Sequence, residues 1–408
     1  MSATTGLPYV PLQAFPTDAP ATGGDSLTED LNVYYKSGDI SWILASTALV
    51  LLMIPGVGFF YSGLARRKSA LSLIWLSIMA TAVVSFQWFF WGYSLAFSHS
   101  AGNHCNPDLL FACGLAVGAV AERGRMLPCV IYMFVWSTII YDPIACWTWN
   151  PAGWAASMGS IDFAGGTPVH IASGCAALAY SYMLGKRTQL PSPQRYPHRL
   201  GTVFLWVGWF GFNAGSAGAA NLRAVMAAVV TNLAACVGGI TWCLIDYRLE
   251  KKWSTVGFCS GVIAGLIAIT LGAFCNYATK LKYFLRADDA LDIFAVHGVG
   301  GFVGNILTAF FAAHTDSIAG GAYAFGGTCI ILGVLGFLGN YVSIFRLRVS
   351  EEEEVLGIDD CELGEFAYDY VEVSHISDSA SHHSMMRTAS HDGHEKTHDS
   401  LGSENVSS

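Results

Sequence analysis

Apolar runs of about 20 residues recur from Ile40 to Phe345, each long enough to cross a bilayer as a helix. In lipid every backbone N–H and C=O must find its partner within the protein, so a run of this kind has almost no choice but to be helical. Composition agrees. The chain is 53% hydrophobic and 12% charged, whereas soluble domains carry roughly a quarter charged residues. The expected fold is therefore an all-α polytopic membrane protein. Spans are expected at 40–63, 71–97, 108–121, 126–147, 166–185, 200–220, 222–245, 254–279, 293–313 and 322–345. Residues 1–38 read as a polar, acidic tail with no basic-then-apolar signal peptide. Residues 39–348 then form the membrane domain and 349–408 a charged tail, Ser/His-rich and disordered towards its end.

Basic residues mark alternate loops: Arg66-Arg67-Lys68, Arg123 with Arg125, Lys186-Arg187, Lys251-Lys252, Lys280 with Lys282, and Arg346 with Arg348. By the positive-inside rule these loops are cytoplasmic, which puts the N-terminus outside and the C-terminal tail inside. The net charge of −9 comes largely from the tails, and nothing in the pattern suggests nucleic acid. The eleven cysteines form no CxxC pair and read as small buried hydrophobes; neither a metal site nor a cofactor is expected.

Two runs do not fit. The third reaches only about 21 Å as a helix against a core of about 30 Å. The eighth has the inside signal on both flanks, yet it is long enough for one crossing. Three readings are open: a re-entrant hairpin, a local failure of the orientation rule, or residues missing from the sequence. The third is preferred.

Against this apolar background a few residues stand out. Asp162-Phe-Ala-Gly-Gly-Thr-Pro-Val-His170 opens the fifth run, and Val296-His297-Gly lies in the ninth. Ionisable groups at membrane depth are costly and mark a substrate or proton path by default. Small residues follow both histidines, which lets helices approach closely. Two facing imidazoles share one hydrogen bond and can pass a proton or bind a small polar molecule. Phe210-Gly-Phe212-Asn-Ala-Gly-Ser216 sits towards the outer end of the sixth run, with Trp149 and Trp154 on the same side. Aromatic faces and a serine oxygen compensate a cation losing its water; an interfacial aromatic belt would look the same. Asp162 reads either as the cap of the fifth helix or as a substrate contact. Gly58-Phe-Phe-Tyr-Ser-Gly63 echoes Gly211-Phe-Asn-Ala-Gly215, and Val169-His170 echoes Val296-His297. If the eighth run is two spans, the echoes fall five spans apart, the signature of an inverted repeat.

These residues resemble the ammonium transporter (Amt/Mep/Rh) family, and fungal ammonium permeases in particular. The resemblance rests on Ile54 to Leu71, Asp162 to Arg187, Gly208 to Ser216, Ala121 to Arg125, Asp292 to Gly298 and Leu347 to Tyr368. It implies an Amt-type fold of two inverted five-helix repeats plus a C-terminal span, eleven spans in all, of which about ten are visible here. It implies a homotrimer in the plasma membrane with one pore per subunit, carrying ammonium or ammonia, with methylammonium as an analogue. Carried over by position, His170 and His297 are the twin pore histidines. Phe212 is the inner gate and Phe111 the outer, Trp149 and Ser216 form the recruitment site, and Asp162 supports it. Residues 349–370 dock on the inner face. Family members carry more residues between Gly92 and Glu122, between Thr270 and Asn276, and between Ala313 and Tyr323. An ammonium sensor and a non-transporting shortened isoform are the alternatives; no nucleophile or metal spacing suggests an enzyme. Arg387-Thr-Ala-Ser390 matches a basophilic kinase site, with Ser390 the acceptor.

Overall fold

The computed structural model describes residues 36–97, 108–151, 153–188, 197–268, 273–311 and 317–365. Ser390 lies outside them, and for Phe111 the backbone alone is described. Among these residues the regular structure is helical apart from one antiparallel bridge, Gly124 to Arg348.

The first helix, α1 (Ser37–Leu64), is followed by α2 (Ala70–Gln87), which runs through a π-helical turn at Trp88–Gly92 into Tyr93–Phe97. The third run yields α3 (Asp108–Ala116) and a 3-10 turn, Val117–Val120. Its nine helical residues rise only about 14 Å, so it stays as short as its sequence indicated. Next, α4 (Met126–Trp136) passes through a second π turn at Ser137–Tyr141 into Asp142–Trp149. A third π turn, Gly166–Ile171, leads α5 (Ala172–Leu184). A fourth, Phe210–Ala214, closes α6 (Pro197–Trp209). Then come α7 (Leu222–Glu250), α8 (Thr255–Ala268) and α9 (Ala273–Ala278). A fifth π turn, Phe294–Val299, leads α10 (Gly300–Phe311), followed by α11 (Ser317–Gly339) and a short α12 (Glu351–Leu356). Helices at Ser37–Leu64, Arg67–Phe97, Met126–Ser157 and Leu222–Glu250 are each long and apolar enough to cross a membrane alone.

Backbones touch where the sequence supplies no side chain. Gly201 of α6 lies against the Phe60 backbone of α1, and any Cβ there would collide with it. Small residues of this kind draw membrane helices together, because lipid tails leave apolar side chains no other reason to associate.

Asp246 near the end of α7 ties together the two described helices of the eighth run. Its carboxylate stands against Gly257 at the start of α8 and accepts from Asn276 Nδ2 of α9 at 2.9 Å. The start of α8 and the middle of α9 therefore meet at one side chain near the end of α7. The basic residues on both flanks of the run agree with that placement.

The basic loops converge at that end. Glu122 accepts from the Arg66 N–H at 2.6 Å and from Arg187 at 3.0 Å, and Arg187 holds Asp288 through two nitrogens, each at 2.9 Å. Residues 343–365 close over these loops. Asp359 accepts the N–H groups of Leu71 and Ser72 at 2.9 and 2.8 Å, capping α2. Glu362 accepts the Met126 N–H and Arg125 Nε, both at 2.7 Å, capping α4. Glu354 joins Arg348 and the Thr188 N–H, each at 2.6 Å. Carboxylates at helix N-termini satisfy orphan donors and favour the helix dipole.

Candidate functional site

The two intramembrane histidines meet. His170 Nδ1 lies 3.2 Å from His297 Nδ1, and the residues are 2% and 4% exposed. Their rings are 5.4 Å apart and inclined by 24°. Each sits in one of the π turns, a feature frequent at functional sites. Close approach comes from glycine. A Cβ on Gly174, one helical turn below His170, would come within 2.5 Å of Gly298 Cα. No larger residue lets the two segments cross this tightly.

Each histidine turn is anchored by an aspartate eight positions earlier. The Asp162 carboxylate accepts the N–H groups of Gly165, Gly166 and Thr167 at 2.7, 2.7 and 2.6 Å. Of the two readings open for Asp162, the cap is what its geometry fits. Asp289 accepts the Phe294 N–H at 2.8 Å ahead of His297. It is 2% exposed, and burial, then the charge of Asp292, pushes its carboxyl up to about 6. Asn305 of α10 donates to Thr167 Oγ1 at 2.9 Å, tying one histidine element to the other.

On one side of the pair lie aromatics. Trp209 stacks on His170 at 5.7 Å and 11°, and Phe212 lies 5.9 Å from the same ring. Ser216 Oγ donates to the Phe212 carbonyl at 2.7 Å, leaving its lone pairs free to accept. The Trp149 indole N–H donates to the Asp162 carbonyl at 2.8 Å, which commits its only donor and leaves the ring face. On the other side a cavity of about 150 Å³ lies beneath His297. Tyr61, Leu115, Trp209, Trp242 and Val296 line it, with Asp292 towards the basic end. Lys282 Nζ holds Asp292 at 2.7 Å.

The structure thus unites His170, His297 and Phe212, places Ser216 on the Phe212 carbonyl, and attaches Trp149 to the Asp162 turn. Sequence reading missed Trp209, Asn305 and Asp289. The last was legible, because Asp289 precedes His297 by the interval that separates Asp162 from His170. Among the described residues no group of three or more His, Cys, Asp or Glu side chains is arranged for a metal ion.

Comparison with known proteins decides the family. The profile of the Ammonium Transporter Family matches residues 41–106, 108–275 and 271–368. This chain belongs to that family. Ammonium transporter 1 of Schizosaccharomyces pombe is 49% identical over 451 residues, covering 91% of this chain and 88% of that protein. Ammonium transporter MEP2 of Saccharomyces cerevisiae is 42% identical, covering 85% and 87%. The crystal structure of Candida albicans Mep2 superposes with a TM-score of 0.72 at 39% identity, covering 86% of this chain and 94% of that one. The fold is accordingly the Amt fold, and the protein a multi-pass membrane member of a transporter family. The 451-residue alignment exceeds what 91% of 408 residues can fill, so the relative has residues that this chain lacks. Breaks in the profile match at 106–108 and 271–275 fall within two of the three stretches read as shortened.

Proposed function

We propose that the protein carries ammonium across the plasma membrane, N-terminus outside and C-terminus in the cytoplasm, as a homotrimer with one pore per subunit. The observation that carries this reading is the buried contact between His170 and His297, beside a cavity lined largely by apolar side chains. A single proton between two Nδ1 atoms makes one ring a donor and leaves the other bare. The outward nitrogens then present one acceptor and one donor, the pair needed to take up and hand on a proton. The family and the names of its relatives supply the substrate.

In this mechanism ammonium loses its water against Trp149, Phe212 and the oxygen of Ser216. Cation–π attraction and a hydroxyl acceptor offset part of the dehydration cost. It leaves its proton near Phe212, and Phe111 forms the outer side of the gate. Ammonia then passes His170 and His297 as a neutral molecule, while the proton follows through the imidazoles or water. Potassium has no proton to give and meets the whole cost of a bare ion in a low dielectric. Asp162 shapes the entrance without touching the substrate. Residues 39–348 form the transport domain, and 349–370 dock on its cytoplasmic face. Ser390 is the acceptor for a basophilic kinase.

The test is growth of permease-lacking cells on scarce ammonium, with uptake of labelled methylammonium. Rescue by this chain supports transport. Failure to rescue, at equal surface abundance, would favour a shortened non-transporting form; failure with an intact starvation response would favour a sensor.

A further inference from the structure

Asp142 is a second carboxylate at membrane depth, and the transport mechanism does not use it. It follows the π turn of α4, seven residues and roughly 10 Å below Trp149. It is 0% exposed, and so is Gln87 at the end of α2, just before the π turn of that helix. Gln87 Nε2 donates to Asp142 Oδ2 at 2.7 Å. The other oxygen of each group, Asp142 Oδ1 and Gln87 Oε1, is buried with no hydrogen-bond partner. Among the described residues no Lys, Arg or His pairs with Asp142. The titratable group facing it from α3 is the thiol of Cys113.

Two orphan acceptors on one amide and one carboxyl are what remains when a single proton is left out of an acid–amide ring. Buried polar atoms are almost always paired, and a carboxyl can donate only when protonated. We infer that Asp142 binds a proton and closes a two-bond ring with Gln87. Asp142 Oδ1–H donates to Gln87 Oε1, and Gln87 Nε2 donates to Asp142 Oδ2. The proton makes a neutral clasp between the second and fourth spans where two helices depart from regular hydrogen bonding. It leaves no fixed negative charge at this position.

Infrared spectroscopy of the purified full chain in lipid, with aspartate carboxyls labelled by carbon-13, tests this at mildly alkaline pH. The wild type should show the carbonyl band of a protonated carboxylic acid, and Asp142→Asn should remove it. That variant rebuilds the ring as an amide pair, so its trimer and methylammonium uptake should match the wild type. Gln87→Leu leaves the acid alone and should lower thermal stability. An ionised Asp142, seen as a missing acid band or one unchanged in Asp142→Asn, would overturn the inference. So would loss of uptake in a well-folded Asp142→Asn protein. The band is read whether or not the wild type transports, so this test fails separately from the transport reading.

Discussion

His170 and Trp209 are stacked at 5.7 Å with their planes only 11° apart, so one histidine of the pair packs on an indole from α6 while its Nδ1 meets His297 Nδ1 at 3.2 Å. Residues from three π turns and one helix end therefore set a single ring. Trp209→Leu should free His170 to rotate, and methylammonium uptake should fall several-fold at unchanged membrane abundance. Trp209→Phe should keep much of the activity, since a flat face remains. Uptake assays alongside surface biotinylation read both.

Gly174 gives the sharpest steric test. An alanine there would strike the backbone of Gly298 rather than a movable side chain. Overpacking of this kind costs about 1–3 kcal/mol, and here it also separates the histidines. Gly174→Ala should lower the thermal midpoint and abolish uptake, whereas Gly333→Ala, where no atom lies within 4 Å, should do neither.

Much of this was legible in the sequence. Helices in lipid are nearly obligatory, so spans could be placed from hydropathy alone, and His170 and His297 stood out because ionisable groups are rare there. Asp162 could be assigned to either of two roles, and only its three N–H donors separate them. The eighth run failed as one crossing by charge alone, and the break in the family match at 271–275 falls in the same place. What could not be read was pairing at a distance. Nothing local says that Asn305 reaches Thr167 or that Glu362 caps α4, because each bond depends on how separate helices cross.

The tail makes a measurable contribution. Asp359 caps α2 and Glu362 caps α4 from more than two hundred residues away. Loss of a helix cap costs about 0.5–2 kcal/mol. Asp359→Ala should lower the thermal midpoint modestly and increase protease cleavage after residue 348, with the membrane core still folded. Limited proteolysis in lipid checks this.

Asp289 predicts a pH dependence. Its carboxyl is raised from 3.8 to about 6 by burial and then by Asp292. The folded state thus binds more protons than the unfolded state between those values. The stabilisation is full below about pH 4 and is lost as pH rises through about 6, a change on the order of 3 kcal/mol. Asn keeps an acceptor for the Phe294 N–H, so Asp289→Asn should remain folded and show a flatter stability profile across that window. A thermal-shift series over pH reads the difference.

The most direct measurement concerns His297. Ammonium uptake and potassium exclusion are measured side by side in cells expressing wild type or His297→Ala at equal surface abundance. The variant should lose ammonium uptake or admit potassium, because a neutral proton-passing pair has become a single ring. Uptake and exclusion both unchanged would contradict it.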